Sequence, residues 1–205
     1  MHIEILVEDS SGKALLEILV PRIIGQQGAP HTWRIIGYRG IGRLPEGIQS
    51  HADPAKRVLL SQLPRLLKGY GRTPGIDAVV LVIDSDKRDC KVFLSELTTA
   101  IAAYEPKPPN ILVRLAIEEI EAWYLGDKTA LCTAYPRIKM HTISTYVQDS
   151  PCNTWELLAE ATAKSPGGTK REWPMKIGPL MDVNANLSPS FGKFRDGLSR
   201  LTSPC

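Results

Sequence analysis

The chain has 205 residues, 43% of them hydrophobic and 23% charged, and carries a formal net charge of +3. It can therefore bury a real core, as one domain of generous size or one domain with a small appendage. The longest strongly apolar run, Ala78 to Ile83, is too short for a bilayer, no basic stretch leads into an apolar one near Met1, and the cysteines (Cys90, Cys132, Cys152, Cys205) are scattered. Membrane span, secretory leader, disulfide framework and zinc knuckle are thus not expected, and a cytoplasmic location is.

His2 to Glu8 reads as a short strand, and Asp9, Ser10 and Ser11 supply capping side chains for a helix whose leucines and isoleucines recur at helical spacing from Lys13 to Ile24. Thr32 to Tyr38 is a second extended stretch, leading into a loop with Gly37, Gly40, Gly42 and Gly47. Pro54 opens the next helix, with Leu59, Leu60, Leu63, Leu66 and Leu67 on its apolar face, and Pro64 is expected to kink or shorten it. Ala78 to Ile83 shows no alternation, the mark of a strand buried on both faces of a parallel sheet. A helix carrying Phe93, Leu94, Leu97 and Ile101 follows, then the breaker Pro106, Pro108 and Pro109, then a strand over Ile111 to Ile117.

This β-α-β-α-β-α-β alternation predicts an α/β fold, three-layered around a mostly parallel four-stranded sheet. The domain is expected over residues 1–126. Residues 127–205 then read as a helical C-terminal extension packed on it, with short helices near Lys128 to Tyr135, Thr154 to Ala163 and Ser190 to Leu201.

Three of the four expected strands end in acids: Val7 into Glu8-Asp9, Ile83 into Asp84 and Asp86, and Ile117 into Glu118. In an open parallel sheet these tips share one edge, where functional groups gather. Two carboxylates about 4 Å apart repel by about 1 kcal/mol in water-like surroundings and about 4 kcal/mol at an effective dielectric near 20. A cluster of them needs either raised pKa values or a divalent cation, and all-oxygen donors favour Mg2+ or Mn2+ over zinc. A lone acid at a strand end is ordinarily a helix cap, the role read for Asp9, whereas Asp-x-Asp directly after a buried strand is more specific. Glu118 and Glu121 stand i,i+3 at an expected helix start and would share a face, with Glu119 pointing elsewhere.

Glu8 after the first strand, Val82-Ile83-Asp84-Ser85-Asp86, and Ile117-Glu118-Glu119-Ile120-Glu121-Ala122-Trp123 together resemble the Toprim fold. The Glu121-Ala122-Trp123 stretch is closest to its OLD and RloB-like nuclease branch, and the chain is similar to small stand-alone bacterial proteins of that branch known only as a domain of unknown function. Ser188-Pro189-Ser190-Phe191-Gly192-Lys193 resembles the C-terminal signature of that group. The resemblance implies magnesium-dependent phosphodiester chemistry on DNA or RNA. Glu8 would be ligand or general base, Asp84 and Asp86 ligands, Glu121 or Glu118 a further ligand, and Lys193 a transition-state cation. It also implies an ATPase partner and a homodimer in genome maintenance or phage defence. Many Toprim members have Glu-Gly after the first strand, whereas here the glycine is displaced to Gly12.

Eight bases against two acids lie between Arg34 and Arg72, and six acids against four bases between Lys91 and Lys128. A nucleic-acid track over Arg39, Arg43, Arg57, Arg65 and Arg72 fits this asymmetry, as do two ordinary solvated faces. The loop Gly37 to Arg43 reads either as a phosphate cradle or as a plain flexible loop, and it lacks the Walker ending. His2, His31, His51 and His141 form no ligand spacing, and the four tryptophans read as core anchors. Two other functions fit part of the pattern. One is a non-catalytic Toprim-like interaction module. The other is a receiver-like domain with Asp84 as phospho-acceptor, against which no Met-Pro-x-x-Asp-Gly follows Asp84.

Overall fold

A computed structural model describes residues 1–28, 30–45, 58–150, 153–164 and 171–203. Four strands, β1 (His2–Val7), β2 (Thr32–Gly37), β3 (Ala78–Asp84) and β4 (Asn110–Ala116), form one sheet in the order β2-β1-β3-β4, with every pair parallel. The central β3 is buried from Ala78 to Ile83, as its unalternating apolar run requires.

Three long helices make the crossovers: α1 (Ser10–Ile24), α2 (Leu59–Gly71) and α3 (Cys90–Ala102). Right-handed connections decide their sides. The chain leaves β1 one way to reach β2 and then steps back across β1 to β3 and β4, so α1 covers one face and α2 with α3 the other. The two core clusters record this division: Ile3, Ile5, Val7, Val80 and Val82 pack with α1, while Leu6, Val79, Leu81 and Ile83 pack with α2 and α3.

Beyond Ala116 the described residues hold six α-helices: α4 (Glu121–Leu125), α5 (Lys128–Ala134), α6 (Met140–Ile143), α7 (Thr154–Ala161), α8 (Glu172–Ile177) and α9 (Pro189–Thr202). All join the α1 side, and Trp123, Leu131, Ile143, Leu158, Trp173 and Phe194 continue its cluster. The molecule is therefore a three-layer α/β domain whose C-terminal helices thicken one layer. Trp123 is the anchor of that layer. Its ring stacks on Phe194 at 5.1 Å and meets Phe191 edge-on at 5.4 Å, and its Nε1 donates to Ser190 Oγ at 3.0 Å. Ser188 caps α9 by accepting from the Phe191 N–H at 3.2 Å. The Ser188-to-Phe191 signature thus holds α9 in place.

Several boundaries depart from the sequence reading. α2 runs through Pro64 without ending and begins in the described residues at Leu59, while Pro54 lies outside them. An internal proline costs about 3 kcal/mol, but Leu59, Leu60, Leu63 and Leu67 are each buried, at roughly 1.5–3 kcal/mol apiece. Burial wins. α6 and α8 were invisible in the sequence because each is too short for a periodic pattern. α4 starts only at Glu121, so the helical face expected to join Glu118 to Glu121 does not exist.

Candidate active site at the strand tips

The outward and return crossovers diverge between β1 and β3, so the topological switch point of the sheet lies at the carboxyl ends of these neighbours. Glu8 follows β1 directly and Asp84 is the last residue of β3. The acids therefore stand where an open parallel sheet leaves a crevice.

Their surroundings hold both toward the neutral form. Burial, followed by the charges of Asp86 and Asp9, raises the Glu8 pKa to about 7, against backbone hydrogen bonds from Asp84 and Ile41. Glu8 Oε2 is sealed from solvent and has no hydrogen-bond partner among the described residues. Asp84 is raised well above the ordinary carboxylate range by burial, then by Glu8, Glu121, Asp9 and Glu119. Glu121, 2% exposed, opens α4 beside it. Glu8, Asp84 and Glu121 are thus drawn together from three distant parts of the chain.

Of the other expected ligands, Asp86 stays within charge range of Glu8 at the solvent side, while Glu118, with its neighbour Glu119, turns to α7. Asp86 is exposed, with φ at 48°, and pairs with Arg88 at 3.6 Å. Glu118 is buried, also left-handed at φ 60°, and its two oxygens accept the N–H groups of Asn153 at 2.8 Å and Thr154 at 2.9 Å. It thereby caps the start of α7, where a negative charge is favourable. Glu119 joins it there, accepting from the Trp155 N–H at 3.0 Å. The tips of β3 and β4 are zipped by one backbone bond and one side-chain bond: Asp86 N–H donates to Glu118 O at 2.8 Å, and Glu118 N–H to Ser85 Oγ at 2.7 Å. Lys193 lies on α9 along the outer side of β4, lining a groove with Arg114 and Ile117.

Asp9 caps α1, accepting the Gly12 N–H at 2.7 Å, while its charge also reaches Glu8 and Asp84. The displaced glycine has a packing reason. A Cβ on Gly12 would lie 2.6 Å from Val7 Cγ2, so α1 approaches β1 this closely only with glycine there. The loop after β2 is pinned, contrary to a plain flexible loop: Tyr38 N–H donates to Val7 O at 3.0 Å, Gly40 N–H to Glu8 O at 3.1 Å, and Leu59 and Leu60 bond back to Gly40 and Ile41. Exposed Arg39 and Arg43 on it share the edge of the acids. Arg65 is exposed midway along α2, and Arg72 is the residue after its last turn, beyond a Gly71 packed on the Pro106–Lys107 backbone that precedes β4. Arg72 is therefore at the opposite edge of the sheet. Arg57 lies outside the described residues. Arg34, counted in the basic run, is held by buried Glu4 through two 2.9 Å contacts.

Tyr124 was missed by the sequence reading. It is fully buried, its hydroxyl has no hydrogen-bond partner among the described residues, and burial together with Glu121, Asp9, Tyr135 and Asp84 raises its pKa. The i,i+3 spacing from Glu121 was the available signal.

The donor set is oxygen-only, and the orphaned Glu8 oxygen and neutral-leaning Asp84 are what a hard divalent cation would satisfy. As placed, no group of three His, Cys, Asp or Glu among the described residues can hold a metal ion. Binding would thus require side-chain rotation about the Glu8–Asp84–Glu121 centre.

No curated protein and no solved structure matches the chain. No helix among the described residues is long and apolar enough to cross a membrane. One family model matches residues 7–199, spanning both the sheet and the C-terminal helices. The chain belongs to that family, the domain of unknown function DUF4276.

Proposed function

We propose that this chain is a Toprim-type nuclease of the cytoplasm that hydrolyses phosphodiester bonds in DNA or RNA with Mg2+ or Mn2+, with an ATPase as partner. The observation that carries the reading is the meeting of Glu8 and Asp84 at the switch point, both pushed toward their neutral forms, Glu8 by burial and the charges of Asp86 and Asp9, and Asp84 by burial and the charge of Glu8. Asp84 and Glu121 would hold the ion, with Asp86 at its solvent side. The ion would neutralise phosphate charge and polarise the attacking water. Glu8, with its pKa near neutrality, suits the general base, since proton transfer works best when that pKa lies near the working pH. Arg39 and Arg43 supply positive charge on the same edge for the flanking phosphates.

The test uses labelled single- and double-stranded DNA and RNA with Mg2+ or Mn2+, together with Mn2+ titration followed by electron paramagnetic resonance. Wild-type protein is expected to bind Mn2+ and cleave, and Asp84→Asn to lose at least about a hundredfold in rate while keeping its melting temperature. Equal Mn2+ binding by the two proteins, or none by either, would overturn the reading. Cleavage-independent phosphorylation of Asp84 would support a receiver. Partner binding that ignores both Mn2+ and Asp84→Asn would support a non-catalytic module.

A further inference from the structure

We propose that the free edge of β4 is a docking site for an extended, acidic segment of a partner protein, which adds to the sheet as a fifth strand. Among the described residues β4 ends the sheet and has β3 as its one neighbour. Ala116 O accepts from Ser85 N–H on the β3 side at 2.9 Å. Strand alternation then turns the backbone groups of Ile111, Val113 and Leu115 to the free side. A groove of about 340 Å³ runs along this edge between α3 and α9. Val113 and Leu115 line its floor, and Leu94 lines its wall.

Charge names the occupant. Lys91, Arg114, Lys193 and Arg200 all line the groove; Arg200 also reaches the charge of Asp196 on the same helix. The one acid there, Asp149, is already engaged, accepting from Ser188 Oγ at 2.8 Å and from the Ser190 N–H at 2.6 Å. Arg114 occupies the place of a missing strand. Its Nη1 donates to Val113 O at 2.7 Å and its Nε to Lys193 O at 2.8 Å, with the guanidinium laid against Gly197. An incoming backbone N–H would take over the Val113 carbonyl, and a carboxylate would release Arg114 from its like-charged neighbour Arg200.

Two other occupants fit less well. A second copy would set these cations against themselves, and a phosphodiester backbone carries no N–H groups at strand spacing to pair with the edge of β4. Sheet-edge addition uses main-chain hydrogen bonds for affinity and alternate side chains for specificity, which matches this floor and rim.

The probe is a fluorescein-labelled peptide alternating glutamate and valine, of the seven-residue length of β4. It is titrated against the full chain in EDTA and read by fluorescence anisotropy, so the outcome is independent of the metal reading above. Saturable binding is expected. N-methylation of alternate peptide amides should abolish it, and Lys91→Glu with Lys193→Glu should weaken it at least about tenfold at unchanged melting temperature. Hydrogen exchange should slow at Val113 and Leu115. Absent binding or equal binding of the N-methylated peptide would overturn the proposal. So would tighter binding of a labelled oligonucleotide of equal charge, or a solution dimer that the lysine reversals dissociate.

Discussion

Replacing Glu8 by glutamine is expected to stabilise the metal-free protein above neutral pH. The wild-type carboxyl must ionise inside the fold against burial, Asp86 and Asp9, which moves its pKa from 4.5 to about 7. That gap corresponds to about 3 kcal/mol, and the solvent contact the side chain retains reduces it to roughly 2 kcal/mol. Because the folded state holds this proton more tightly than the unfolded chain, the stabilisation is complete below pH 4.5. It is lost as the pH rises through about 7. Glutamine keeps the shape and an acceptor oxygen without the charge, so the variant escapes the loss. For a chain of this size, 2 kcal/mol corresponds to about 4–8 °C in melting temperature. Thermal unfolding in EDTA at pH 8 should show that increase, with the curves converging as pH falls toward 4.5. Added Mn2+ should raise both proteins, because the proposed ligands Asp84 and Glu121 remain in the variant. A variant less stable than wild type at pH 8, or a difference independent of pH, would refute the electrostatic reasoning.

Glu118→Gln should behave in the opposite way, losing about 1–2 kcal/mol because its carboxylate caps α7, with Mn2+ affinity unchanged. A drop in Mn2+ binding would restore it as a ligand. Tyr124→Phe removes a buried hydroxyl that has no partner among the described residues. It should leave stability within about 1 kcal/mol of wild type or raise it, and a large loss on thermal unfolding would reveal a bond the hydroxyl makes. Arg39→Ala with Arg43→Ala should weaken nucleic-acid binding and lower its salt dependence by up to about one unit per arginine. Arg72→Ala, at the far edge of the sheet, should leave both intact. Equal effects from all three would show that binding is spread over the surface.

The alternation of strands and helices was legible in the chain because it rests on local signals. Ala78 to Ile83 is apolar without a break since both faces of β3 are covered, and Asp9 before a leucine-spaced run marks a helix start. Those signals, with the right-handed crossover rule, already carried Glu8 and Asp84 to one edge. Where each remaining acid points depends on contacts made far along the chain. Glu118 and Glu121 are three residues apart, yet a left-handed turn sends one to the start of α7 and delays the helix so that the other faces Asp84. Lys193 and Arg72 carry the same charge as Arg39, but packing of α9 on β4 and the direction of α2 remove both from the site. Residue type and period thus settled the architecture and the two central acids. Only the tertiary structure could decide which neighbours share their charge, because burial and partner geometry are properties of elements brought together and not of any one segment.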